Sequence, residues 1–276
     1  MQKKENILRV IHNRLKNNIF CVKIYSILQW HERIYAIKRF FFVDRHMKKN
    51  SFILTVKGGT KFFLPYYKTD LIQRQITQKK DFYEKDLLDS LLKNNYFKFK
   101  KKGCFLDIGS NIGNHTLYFF KRGLIEFAYC FEPVKDTFDI LKKNIEINNL
   151  QNNVVLFNAG VGREKGNAVL KYYNSQNIGM SQLSSDQNGN IPIVSIDDLN
   201  IEEKIIFIKI DVEGFEANVI KGMTETLKRN TPLIMIEIRD YLFAEIDDTL
   251  QAIGYNHIAI DNNAHNIGNY LYYPQE

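Results

Sequence analysis

The stretch CFLDIGSNIGNHTLYFF, Cys104 to Phe120, decides how this chain is read. An apolar run ends in an aspartate, Gly109 and Gly113 follow, and a helical pattern begins at once. A tight turn alone needs one glycine. A second glycine at this spacing implies a loop in which backbone comes close to a ligand. CFLDIG reads as a strand and NHTLYFFKRG as a helix closed by Gly123.

The same alternation continues downstream. FAYCFEP, VVLFNAGVG, IIFIKIDVEG and PLIMIEI read as strands. VKDTFDILKKNIEINN, EANVIKGMTETLKRN and FAEIDDTLQAIG read as helices, and NHIAI and NYLYY as short terminal strands. NAVLKYY and IPIVSIDDL add β-segments where the rhythm would place a helix. Near-continuous apolar strands alternating with helices specify an α/β fold, a parallel sheet with helices on both faces. Upstream, SFILTVKGGTKFFLPYY signals a hairpin about Gly58-Gly59. DFYEKDLLDSLLKNN predicts a helix with Asp81 as N-cap, Glu84 three residues on, and a stripe of Leu87, Leu88, Leu91 and Leu92. Ile7, Ile11 and Leu15, then Ile24, Ile27 and Leu28, space the segment 5–49 as basic amphipathic helices. The expected organisation is an N-terminal helical and hairpin extension over residues 1–79 and an α/β domain over 80–276.

Composition bounds the function. The 276 residues are 45% hydrophobic, which excludes a mostly disordered chain. The net charge of +7 is uneven: residues 1–50 hold 12 Lys/Arg against 3 Asp/Glu, and the rest hold 26 against 28. The basic arm is a solvated helical face, or it meets membrane headgroups, nucleic acid, a second copy or an acidic partner. Beyond it the chain is slightly acidic and lacks a basic aromatic strand motif, so nucleic acid is not an expected partner. Cys21, Cys104 and Cys130 fit no disulfide or metal spacing. They point to a reducing cytoplasm, with the arm a candidate for the inner face of the membrane. NIFCVKIYSILQW is interrupted by Lys23 and falls short of the ~18–20 apolar residues of a membrane span.

In open α/β sheets ligands bind outside the carboxyl ends of the strands. Those ends offer Asp107, Gly109, Ser110, Asn111 and Gly113, then Glu132, Asn158, Asp211 with Glu213, and Glu237. The glycines admit close backbone approach. Asp107 suits an ammonium or an ordered water, and Glu132 suits the two hydroxyls of a ribose. Asn158 suits a purine edge. A dinucleotide fingerprint is disfavoured because Asn111 and Asn114 stand where its second and third glycines belong, and no G-K-[ST] marks a P-loop. The D-x-G-x-x-x-G pattern fits an adenosine carrying a zwitterionic methionine tail.

FLDIGSNIGNHT, CFEP, NAGVG, VSIDDL, IKIDVEGFE with KG, and PLIMIEI resemble, in order, the FkbM family of S-adenosylmethionine-dependent methyltransferases, over roughly residues 80–240. The resemblance implies a class I methyltransferase (Rossmann-like) fold: a seven-stranded sheet whose last strand is antiparallel. It also implies O-methylation of hydroxyls on sugars or related metabolites, with S-adenosyl-L-methionine as cofactor. It assigns Asp107 to Gly113 and Glu132 to the cofactor, Asn158 and Ala159 to the adenine, and Asp211 and Glu213 to the methyl-transfer site. Ser110 and His115 depart from the family's usual Ala and aromatic residue.

A sugar hydroxyl needs its proton drawn away before it attacks in line. Asp211 is the first candidate base, with Glu213 and His115 next. Asp211, Glu213 and Glu237 could gather oxygens for Mg²⁺, but no spacing demands a metal and none is expected. Tyr83 and Glu84 could close over the methionine end. The acceptor is expected to be a small molecule, a sugar nucleotide or a glycan precursor. RNA or protein methylation, and a non-catalytic glycan-binding module, are the rival classes.

Overall fold

The computed structural model describes residues 52–95, 97, 102–172, 182–263 and 267–275. The helices expected over 5–49, and Cys21, lie outside the described residues. In chain order the elements are β1 (Ile53–Thr55), β2 (Lys61–Phe63), α1 (Leu71–Lys79), α2 (Lys85–Lys93), β3 (Cys104–Ile108), α3 (Asn114–Lys121), β4 (Phe127–Phe131) and α4 (Lys135–Ile147). Then come β5 (Val154–Phe157), β6 (Gly160–Val161), β7 (Gly166–Tyr172), β8 (Gln182–Ser185), β9 (Ile191–Val194) and β10 (Ile205–Ile210). The chain closes with α5 (Glu216–Lys221), α6 (Thr224–Asn230), β11 (Leu233–Arg239), α7 (Asp240–Gln251), β12 (Tyr255–Asn263) and β13 (Ile267–Pro274).

The apolar runs form one seven-stranded sheet in the order β12-β13-β11-β10-β3-β4-β5. Strands β11, β10, β3, β4 and β5 pair in parallel, and β13 runs antiparallel to both neighbours. This is the class I methyltransferase sheet that the resemblance implies. From β3 the chain winds outward through β4 and β5, then returns to lay β10 on the other side of β3. That reversal opens a crevice above β3 and β10. The extra β-segments build a second sheet, β6-β9-β7-β8, in place of a crossover helix.

Strands β3 and β10 are buried nearly throughout. Phe97, Phe105, Phe119 and Phe207 pack ring on ring beneath them, with centroids 4.9–6.2 Å apart. Truncating one such ring costs about 3–5 kcal/mol, so the cluster anchors α3 to the sheet below the crevice. The hairpin β1-β2 is present as read and belongs to the compact unit Phe52–Glu276. Two asparagines of α4 hold it: the Asn144 carboxamide accepts from Phe63 N–H (2.6 Å) and donates to the Ile112 carbonyl (2.8 Å), while Asn148 exchanges two bonds with Lys61. Asn144 thus ties the hairpin to the glycine loop.

Two expectations are corrected. EANVIKGMTETLKRN is not one helix but α5 and α6, broken at Gly222. A Cβ at Gly222 would lie 1.9 Å from the Gly162 carbonyl oxygen, and the Gly222 carbonyl accepts from Ser195 Oγ and Asp197 N–H. The Asp197 carboxylate then accepts from the N–H groups of Glu225 and Thr226 and caps α6 from a distant loop. The other correction concerns α2, which starts at Lys85 without the expected capping box. Asp81 accepts only from Phe82 N–H, and Glu84 sits at φ +53° with no capping bond. The competing partner is Asn114, which claims the Tyr83 peptide.

Candidate active site

The loop after β3 is a set of left-handed turns: Gly109, Asn111 and Gly113 have φ of +78°, +49° and +85°. Gly109 has no alternative. A Cβ there would stand 1.9 Å from the Asp211 carbonyl oxygen. Gly109→Ala is therefore expected to lose at least about 1–2 kcal/mol in urea unfolding. The Gly109 and Ser110 N–H groups both donate to the Phe131 carbonyl, and Ser110 Oγ donates to the Asp107 carbonyl (2.5 Å). Glu132, at the tip of β4, accepts from Asn111 N–H and Val134 N–H, each at 2.9 Å. Its carboxylate is thus bonded to the loop before any ligand arrives.

Above the loop lies an open cleft at the carboxyl ends of the strands. Its walls include Gly109, Ser110, Asn111, His115, Glu132, Ala159, Asp211 and Glu213, all expected from the sequence, together with Tyr83, Glu84 and Glu237. Ile72, Phe131, Val134, Leu183 and Phe215 supply apolar surface.

Three expected residues stand behind the wall rather than in it. Asp107 is fully buried: its Oδ2 accepts from Thr116 Oγ1 at 2.5 Å, and its Oδ1 lies 3.9 Å from Lys209 Nζ. Its register aligns it with Lys209 and Cys130 across the sheet, below the loop, so it supports the loop instead of facing an ammonium. Asn158 turns its amide nitrogen onto the carbonyls of Glu132 and Pro133, at 2.9 and 3.2 Å, which leaves that donor unavailable to a purine. Gly113 caps α3 against Leu141.

The acidic tips converge at the other end of the cleft. One oxygen from each of Asp211, Glu213 and Glu237 lies within 4.8 Å of the others. Asp211 Oδ2 is 3.2 Å from Lys209 Nζ, and Glu213 Oε2 accepts from Arg239 Nη2 at 2.6 Å. Burial, then the Asp211 charge, pushes Glu213 up to about 7 despite Arg239. Burial followed by Asp211 and Glu213 pushes Glu237 up to about 8. Burial, with the Asp107 charge added, outweighs two backbone hydrogen bonds and the Lys209 charge to bring Glu132 to about 7. For Lys209 burial opposes the charge, but Asp211 and Asp107 prevail and raise it. Glu84 is likewise buried, yet His115, with Nε2 3.6 Å away, and Lys209 hold it below the usual carboxylate range. The loop after β10 is closed by Glu216, which accepts from Gly214 N–H at 2.8 Å.

Sequence reasoning missed Lys209 and Asn114. The signal for Lys209 was a lone cation in the apolar strand IIFIKI, where a buried lysine requires partners. Asn114 accepts from Tyr83 N–H (2.9 Å) and donates to the Tyr83 carbonyl (3.0 Å). Asn114→Ala strands both peptide groups and is expected to cost about 1–3 kcal/mol. Faster hydrogen exchange confined to residues 82–86 checks it.

The donor set suits S-adenosylmethionine. Glu132 would offer carboxylate oxygens to a ribose, Ala159 and Val134 apolar surface to a purine, and Glu84 negative charge to a cationic tail. Residues 107–256 match the model of the methyltransferase FkbM domain. The chain belongs to the FkbM methyltransferase family. Among relatives of this FkbM protein, a hexuronic acid methyltransferase AglP from Haloferax volcanii is 30% identical over 136 residues, covering 48% of this chain and 54% of the relative. Methyltransferase 1 of Beauveria bassiana is 28% identical over 153 residues, covering 46% and 61%. The chain thus spans about half the length of the curated relatives it matches first. A solved FkbM methyltransferase from Methylobacillus flagellatus superposes with a TM-score of 0.49 at 19% identity, over 67% of this chain and 47% of that one. No described helix is long and apolar enough to cross a membrane.

Proposed function

We infer that this chain is an S-adenosylmethionine-dependent O-methyltransferase acting on a hydroxyl of a sugar, glycan precursor or related metabolite. The observation that carries the reading is one cleft lined at one end by Glu132 and at the other by Asp211, Glu213 and Glu237. Glu132, Asn111 and Ala159 would hold the nucleoside, and Glu84 would face the cationic end of the methionine tail. The bound cofactor supplies an electrophilic methyl group. The chain's own task is then to orient the acceptor and remove its proton.

Asp211 takes the proton from the acceptor hydroxyl, and Glu213 and Glu237 hold neighbouring hydroxyls. A carboxyl titrating near 7 or 8 both donates and accepts hydrogen bonds around neutral pH, which suits a polyol. Phe215 and Val212 limit water at the reacting oxygen. The relationship to a hexuronic acid methyltransferase supports a sugar acceptor over RNA or protein. The test is a filter assay with methyl-labelled S-adenosylmethionine against sugar-nucleotide, glycan, RNA and protein pools. Label in the sugar or glycan fraction is expected. Label only in RNA or protein, or in none, overturns the reading.

A further inference from the structure

We propose that Lys209 is a positioning residue for methyl transfer: its ammonium fixes Asp211 with one oxygen turned into the cleft and sets a positive charge against that carboxylate among its acidic neighbours. The proposal rests on the reading of Asp211 as the base.

Lys209 is 4% exposed and sits in the central strand β10, between the two parts of the site. Its Nζ donates to the Gly109 carbonyl at 2.7 Å, lies 3.2 Å from Asp211 Oδ2 and lies 3.9 Å from Asp107 Oδ1. One ammonium therefore bonds the glycine loop, pairs with the candidate base and lies near the carboxylate beneath the loop. An ammonium has three protons; the Gly109 carbonyl and Asp211 Oδ2 lie within bonding distance, and Asp107 Oδ1, at 3.9 Å, adds charge without a hydrogen bond. With Oδ2 of Asp211 on Lys209, Oδ1 is the oxygen free for an acceptor. Nothing else described performs this task. Arg239 is engaged by Glu213, and His115 faces Glu84.

The charges around Asp211 act in the same direction. The groups around Asp211 are Lys209 on its own strand, Asp107 on β3, Glu213 and Glu216 in the following turn, Glu237 and Arg239 on β11, Tyr83 and Glu84 before α2, and His115 on α3. The acids already outnumber the cations there, and without Lys209 the one permanent cation left among these groups is Arg239, so a proton is drawn onto the cluster at higher pH.

The experiment is a pH titration of the full chain labelled with ¹³C at the aspartate carboxyl carbon. The Asp211 resonance is assigned by its loss in Asp211→Asn. In Lys209→Met the Asp211 midpoint is expected to rise by about one pH unit or more, a tenfold or greater gain in proton affinity. A folded Lys209→Met protein with an unmoved midpoint overturns the proposal. Removing Lys209 leaves Asp107 buried beside Thr116 alone, so this variant can fail to fold. Asp107→Asn with Lys209→Met removes that uncompensated charge, and the same midpoint is then compared with Asp107→Asn. A purely structural lysine would change melting temperature in both backgrounds and leave the Asp211 midpoint in place. The function reading fails separately, through a filter assay with no label in sugars, while the midpoint still reports on Lys209.

Discussion

Glu132→Ala is expected to bind S-adenosylmethionine about 30- to 150-fold more weakly in calorimetric titration, the ~2–3 kcal/mol of paired, charge-assisted hydrogen bonds. Glu132 also accepts from Asn111 and Val134 N–H groups, so part of the alanine effect passes through the loop. Two features separate the ribose contact from that support. Glu132→Gln keeps the shape and one acceptor oxygen. The pH dependence then isolates the carboxylate. An unfolded glutamate titrates near 4.5 and Glu132 in the fold near 7. The folded chain therefore holds a proton that the unfolded chain has already lost. The stability from this group is complete below about 4.5 and is lost as pH rises through about 7. Glu213 and Glu237 act in the same direction, to about 7 and about 8. Ribose hydroxyls donate to the ionised form, so binding releases the proton. Wild-type Kd is expected to fall with rising pH up to about 7 and level off above it, and the slope is expected to flatten in Glu132→Gln. A Kd unchanged by Glu132→Ala removes the ribose assignment.

The fold was legible because its signals are local and repeated. IIFIKI and PLIMIEI are apolar enough to be central strands, and the missing helix between β5 and β10 showed as β-prone runs ending in turns. The polar tips were legible too, because the sheet delivers its carboxyl ends to one edge. What sequence could not give was direction within a tip. Asp107 and Asp211 both end apolar strands, yet Asp107 points down onto Thr116 while Asp211 reaches the cleft. Strand alternation separates them only once register is known. Long-range bonds were equally invisible. Asp197 caps a helix that begins 27 residues later, and Asn114 overrides a plausible capping box at Asp81. The VSIDDL block, one of the stretches that carry the family resemblance, owes at least Ser195 and Asp197 to structure, since both bond Gly222.

Asp211→Asn is expected to lower turnover about 10²- to 10⁴-fold while leaving cofactor affinity largely intact. The substitution is nearly isosteric, and the asparagine carbonyl still accepts from Lys209 Nζ, so the buried ammonium keeps a partner. Glu132 stands on a different strand, bonded to the loop and to Val134, and is not disturbed. The loss therefore falls on proton removal from the acceptor. Competing bases are close by. Glu237 is the more desolvated and titrates near 8, and Glu213 near 7, so either could accept a proton if it reached the acceptor. Their behaviour separates the roles. Glu213→Gln and Glu237→Gln are expected to raise the acceptor KM more than they lower kcat, since the proposed function has them hold neighbouring hydroxyls and the amides retain hydrogen-bonding capacity. Asp211→Asn is expected to lower kcat and leave KM near wild type. If Asp211→Asn turns over at nearly the wild-type rate, and Glu237→Gln instead loses kcat with the acid limb of its pH profile abolished, proton removal belongs to β11 and not to the tip of β10.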